Sequence, residues 1–94
     1  MPEVVAEFSV TPMVEGPVTP FIDTAIEEIQ HAGLNYQVGA LGTTVEGDLD
    51  QVLDAIKSAH QAVLSQGAGR VVTEIRIDEK KGGISIDEET EAFR

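Results

Sequence analysis

Along residues 2–11 the side chains alternate: Val4, Ala6, Phe8 and Val10 fall on one face, and Glu3, Val5, Glu7, Ser9 and Thr11 on the other. A period of two is the pattern of a strand with one buried side, and Pro12, which has no N–H for a ladder, is expected to end it. After a loop containing Glu15 and Gly16, the period changes. Ile22, Ala25, Ile26, Ile29 and Ala32 recur at helical spacing, with Asp23, Glu27, Glu28 and Gln30 turned outward, as in an amphipathic helix. Thr19-Pro20 fits an N-cap followed by the first helical position, and Gly33 fits the residue that ends the helix. Leu34, Tyr36, Val38 and Ala40 restore the strand period, and glycines at 39 and 42 allow a tight turn into another short strand, residues 43–46. A second helix is predicted over residues 49–66, with an apolar stripe of Leu49, Val52, Leu53, Ile56, Ala59, Val63 and Leu64. Residues 70–78 alternate again, with Val71, Thr73, Ile75 and Ile77 on one side. Beyond the Lys80-Lys81-Gly82-Gly83 turn, Ser85 and Glu88 have capping-box spacing for a short helix ending near Phe93. Such a helix is marginal alone and must dock, with Ile86 and Phe93 as candidate contacts.

The order β-α-β-β-α-β plus a C-terminal helix predicts an α+β, ferredoxin-like two-layer sandwich. Right-handed crossovers put the first and third strands in the middle of an antiparallel sheet with both long helices on one face. The 94 residues form a single domain, 1–94, with a small core that oligomerisation would help to stabilise. Val4, Ala6, Phe8 and Val10, with Val71, Ile75 and Ile77, are expected under the helices. The other face takes Val5, Glu7 and Ser9 beside Val72, Glu74 and Arg76, with Gln37 and Thr44. That mixture is too polar for a core and too apolar for plain solvent surface, so a partner sheet or a ligand is expected to cover it. Glu7 and Arg76, on neighbouring strands, are the expected interface pair.

Composition narrows the function. Seventeen acidic residues against six basic ones give a net charge of −11, which disfavours nucleic-acid binding. The same field attracts a cationic small molecule, and it also serves solubility. No apolar run approaches the length of a membrane span, and Met1-Pro2-Glu3 lacks the basic-then-apolar pattern of a signal peptide. With no cysteine there is neither a disulfide framework nor a thiolate metal site, and a cytoplasmic location is expected. His31 and His60 stand on separate helices, as a terminal and a boundary residue, rather than in a zinc set. The third strand lacks the aromatic residues of an RNA-recognition sheet. Gly67-Ala68-Gly69 precedes a strand, not the helix N-terminus that a phosphate loop requires. The sequence carries no enzymatic signature, so no catalysis, no cofactor and no metal are expected.

The stretch Leu41-Gly42-Thr43-Thr44-Val45-Glu46-Gly47-Asp48 concentrates the remaining polar chemistry. Thr43, Thr44 and Val45 are β-branched and favour extended backbone. Asp48 and Gln51 have the spacing of a second capping box. The segment reads either as a strand-to-helix turn or as a polar pocket at the end of a strand.

The runs Val4-Val5-Ala6-Glu7-Phe8-Ser9-Val10-Thr11-Pro12, Thr43-Thr44-Val45-Glu46-Gly47-Asp48, Arg70-Val71-Val72-Thr73 and Ile77-Asp78, in this order, resemble the small thiamine-binding proteins, formerly catalogued as a domain of unknown function. The resemblance extends over almost the whole chain, including Lys81-Gly82-Gly83-Ile84. It implies a ferredoxin-like fold, dimers that pair into tetramers through their sheets, and binding of thiamine or its hydroxymethylpyrimidine moiety without chemistry, as a carrier, buffer or sensor. Thr43, Thr44 and Glu46 are the first candidate ligand contacts, with Ser9, Thr11 and Tyr36 second. An aminopyrimidine presents an amino donor and ring-nitrogen acceptors, which hydroxyls, backbone groups and a carboxylate complement, and its ring stacks on an aromatic such as Tyr36 or Phe8. Tyr36 equally fits a core position with its hydroxyl at the rim. The alternative function is a structural or regulatory module that assembles through its open sheet face and binds no metabolite.

Overall fold

The computed structural model describes residues 2–91. Its elements are β1 (Val4–Pro12), α1 (Thr19–His31), β2 (Asn35–Val38), β3 (Thr43–Gly47), α2 (Leu49–Ser65), β4 (Val71–Glu79) and α3 (Ile86–Thr90). The four strands form one antiparallel sheet in the order β2-β3-β1-β4, so β1 and β3 are central. The architecture is the expected α+β, ferredoxin-like sandwich with a short C-terminal helix.

The alternation of β1 sets the two layers. Val4, Ala6, Phe8 and Val10 are buried against Ala25 and Ile29 of α1 and Val52, Ala55, Ile56, Ala59 and Val63 of α2. Each large aliphatic side chain sequestered in this way contributes about 1.5–3 kcal/mol. Val45 of β3 shares this face, as its register against Ala6 requires. The helices are narrower than their apolar stripes: Leu53 and Leu64 of α2 are exposed, and Ile22 and Ile26 of α1 are only half-buried.

Pro12 is the last residue of β1, as expected, and pairs with Val71. The ladder with β4 continues past it, since the Met13 N–H donates to the Arg70 carbonyl at 2.8 Å. Successive N–H groups alternate sides along a strand, so the Pro12 nitrogen points away from β4, where β3 has already stopped pairing at Phe8–Thr43. No ladder donor is lost there. Several other local expectations are corrected. Ile75 and Ile77 have the parity of the helix-covered face, opposite Phe8 and Ala6, yet are 42% and 44% exposed. They sit on the edge strand, beyond the shelter of the helices. β2 is also shorter than expected, because the Gly39 N–H donates to the Gly42 carbonyl at 2.8 Å and closes the turn early.

Helix starts differ from their sequence signals too. Val18, not Thr19, occupies the α1 N-cap, and its carbonyl accepts from Phe21 and Ile22. Asp48 is the α2 N-cap residue, but its carboxylate makes no capping bond; Glu3 Oε1 accepts from the Leu49 N–H at 3.2 Å instead. At α3 the Ser85 hydroxyl accepts from Glu88 N–H at 3.1 Å, as expected, while the Glu88 carboxylate pairs with Lys80. Ile86 is buried, and Phe93 lies outside the described residues. His60 is a boundary residue, its Nδ1 2.6 Å from the Thr73 hydroxyl. No helix among the described residues is long and apolar enough to cross a membrane.

Removing a side chain shared by both layers should cost far more than trimming the exposed flank of the same helix. Ile56→Ala, at a fully enclosed position, is expected to lower unfolding free energy by about 2–5 kcal/mol, and Leu53→Ala by less than about 1 kcal/mol. Urea unfolding followed by circular dichroism checks both.

Candidate functional site

At the top of the sheet, between α1 and the turn joining β2 to β3, a cleft of about 340 Å³ opens on the helix-covered side. It exists because the chain ends β2 early and because Ile22 and Ile26 of α1 stop short of full burial. Phe8, Ala25, Val38 and Leu41 complete a largely apolar wall. The turn approaches the sheet so closely that a Cβ on Gly42 would lie 2.8 Å from the Phe8 carbonyl oxygen. A glycine is therefore needed at position 42 for the turn to pack there. Thr43 stands at the floor, 8% exposed, with no side-chain hydrogen bond among those formed by the described residues. Ser9 and Thr11 border this cleft as well, although by strand parity their side chains belong to the open face.

The predicted site residues do not all converge. Thr43 shares the face of Phe8 and Val45, whereas Thr44 and Glu46, opposite Glu7 and Val5, lie on the open face with Ser9 and Thr11. Tyr36 packs against the core, on the same side as Val45, and its hydroxyl accepts from Gln30 Nε2 at 2.8 Å. Of the two roles open to it, the packing matches a core ring with its hydroxyl at the rim. Glu46 has a protein partner: its Oε1 accepts from the Ile86 N–H at 2.9 Å and caps α3.

That bond brings α3 onto the open face, where a second and shallower basin of about 480 Å³ lies between Glu89 and Thr90 of the helix and Val5, Glu7, Thr44 and Arg76 of the sheet. Glu7 and Arg76 are direct cross-strand neighbours, both exposed, and no ion pair joins them. Among the described residues no group of three or more His, Asp or Glu side chains is placed to hold a metal ion. Sequence reasoning missed the apolar lining from Ile22 and Ile26, which carry the same period as core residues. It also missed Glu3 and Glu46 as helix caps, because each caps a helix that starts 46 or 40 positions further along the chain. No local spacing signals that.

A family model described as thiamine-binding protein matches residues 6–94. A relative from Methanocaldococcus jannaschii is 43% identical over 82 residues, covering 86% of this chain and 81% of its own. One from Clostridium perfringens is 38% identical over 73 residues, 78% of this chain and 77% of its own. Among solved structures, a domain of unknown function from Bacillus cereus superposes with a TM-score of 0.92 at 41% identity, over 99% of this chain and 91% of that one. A candidate thiamine biosynthesis/salvage protein from Thermotoga maritima superposes with a TM-score of 0.89 at 38% identity, over 99% of this chain and all 100% of its own.

The Glu46 cap predicts a local effect. A charge-assisted hydrogen bond of this kind contributes about 1.5–3 kcal/mol, so Glu46→Ala should accelerate amide exchange through residues 86–90 by about tenfold or more while β1 stays protected. Glu46→Gln keeps an acceptor and should lose less. Hydrogen exchange read by mass spectrometry distinguishes these outcomes.

Proposed function

This chain belongs to the thiamine-binding protein family, and from that premise we propose that it binds thiamine, or the hydroxymethylpyrimidine half of it, without chemistry, as a carrier, buffer or sensor. The observation that carries the reading is the cleft between α1 and the β2–β3 turn, with its apolar walls and the unshared hydroxyl of Thr43 at its floor. Its volume, about 340 Å³, is at the small end of ligand sites and suits a single substituted ring. A methylated aminopyrimidine places its flat face against Phe8 and Val38 and its ring nitrogen or amino group at Thr43, with Ser9 and Thr11 at the margin. The thiazolium of thiamine then extends outward, into the field of a chain with net charge −11. Thr44 faces the open-face basin and Glu46 is committed to α3, so neither reaches into the cleft.

Assembly is the second part of the reading. The open face, with Glu7 and Arg76 near its middle and half-buried Val5 and Val72 beside them, is covered by another subunit in a homo-oligomer, a dimer of dimers. The half-apolar character of this face also supports the alternative function, an assembly module with no metabolite. Titration separates the two.

Calorimetry with thiamine and with hydroxymethylpyrimidine should show saturable binding, and ligand at 100 times Kd should raise the melting temperature by roughly 10–20 °C. Thr43→Val keeps the shape but removes the hydroxyl, and should weaken binding about fivefold, the equivalent of one hydrogen bond, with the oligomer unchanged. No heat and no thermal shift at millimolar ligand would favour the assembly module. Unchanged affinity in Thr43→Val would place the ligand elsewhere.

A further inference from the structure

We propose, resting on the ligand reading of the cleft between α1 and the β2–β3 turn, that this cleft takes its ring ligand as the free alcohol and rejects the phosphate ester, selecting by charge. No residue that lines it carries a charged side chain. In a chain of which 24% is Asp, Glu, Lys or Arg, that is a property of the place and not of the composition. The polar side chain turned inward is Thr43, and one hydroxyl supplies one hydrogen to a ligand.

A phosphate monoester carries about −1.5 to −2 charges near neutral pH and three acceptor oxygens. Proteins hold such a group with Lys or Arg, or with the free N–H groups of a helix start. The helix start beside this cleft has its donors removed or occupied. α1 lends Ile22, Ala25 and Ile26 to the lining, but Pro20 has no N–H. The N–H groups of Phe21 and Ile22 both donate to the Val18 carbonyl, at 2.9 and 3.1 Å. At the turn, the Gly39 N–H is likewise committed to the Gly42 carbonyl.

The basic side chains among the described residues stand elsewhere. Lys57 is exposed on α2, which contributes nothing to the lining. Arg70 precedes β4, on the sheet edge away from β2. Lys80 and Lys81 follow the far end of β4, and Lys80 pairs with Glu88. Arg76 is on the open face, in a hollow that reaches Leu41 but also holds Glu7 and Glu74, whose two charges outweigh its one. The charges adjacent in the chain to lining residues are acidic: Glu7 beside Phe8, Asp23 beside Ile22 and Glu27 beside Ile26. With a net charge of −11 behind them, they repel a dianion and leave a neutral alcohol unaffected. A phosphate drawn into the apolar mouth would also lose water without gaining a partner.

Hydroxymethylpyrimidine and its monophosphate differ only in the ester, which lies one carbon from the ring and so at the mouth of the cleft. Titrated calorimetrically into the intact protein at low salt, the monophosphate should bind at least tenfold more weakly than the alcohol. Raising sodium chloride from about 0.01 M to about 0.3 M should shrink the ratio of the two Kd values at least threefold, because screening shortens the reach of the field. Leu41 stands at the rim and is 92% exposed, so a charge can be placed there without entering the core. Leu41→Lys should tighten the ester at least fivefold relative to the alcohol, whereas Leu41→Gln should leave the ratio as in the native protein. Equal affinities, or a tighter ester, overturn the proposal. A weaker ester whose ratio responds neither to salt nor to Leu41→Lys overturns selection by charge. Failure of the alcohol itself to bind overturns the ligand reading, and the selection with it, so the alcohol titration tells the two failures apart.

Discussion

Everything in this fold is arranged around the burial of one face of β1. Val4, Ala6, Phe8 and Val10 make the side of the strand that water must leave, and two helices are needed to cover it. Because side chains alternate along a strand, that requirement fixes the opposite side as well. Val5, Glu7, Ser9 and Thr11 face away, and the neighbours paired with them, Thr44 and Glu46 on β3 and Glu74 and Arg76 on β4, follow by register. The two layers and the open face are therefore one constraint seen from its two sides.

Distant carboxylates then tie the ends of the fold together. Glu3, just ahead of β1, caps α2, and Glu46 on β3 caps α3. Each supplies an acceptor to a helix N–H that has no partner within the helix, and each helix start attracts negative charge. Part of the acidity of this chain is accounted for in this way, as structure rather than as field. The second cap has a functional consequence. It holds a five-residue helix, too short to be stable alone, against the open face, and so turns one end of a flat surface into a basin. The helix contributes its own anchor in Ile86, while the buried Ile84 joins the turn before it to the N-terminus through the Pro2 carbonyl.

The cleft on the other side arises from incomplete coverage. α1 presents more apolar surface than the sheet can take, and the early turn after β2 leaves Ile22, Ile26 and Val38 facing one another across a gap. A fully closed core would have no room for a ring. The polar group in this gap, the Thr43 hydroxyl, comes from a strand whose next inward residue, Val45, is wholly enclosed. The site is thus an extension of the core that ends in a hydroxyl instead of a methyl group. The edge of β4 follows from the same shortage of cover: Ile75 and Ile77 have the parity of core residues but lie beyond the helices.

The amino-acid sequence by itself determined the element order, the strand periods, the stripe of each helix and hence the ferredoxin-like sandwich, because each of these is written in spacings of two to four residues. It also determined that Val4, Ala6, Phe8 and Val10 lie inside, that Ile86 anchors the last helix, and that Ser85 caps it. Only the tertiary structure decided that a ladder bond to β4 follows Pro12 at Met13, since that depends on which flank of β1 has a partner. Only it separated Thr43 and Tyr36 from Thr44 and Glu46, gave Glu46 to a helix forty residues away, and left Ile75 and Ile77 uncovered. A periodic pattern states which side of an element is apolar. How far a neighbouring element reaches over that side is set by packing between segments distant in the chain, and no local spacing records it.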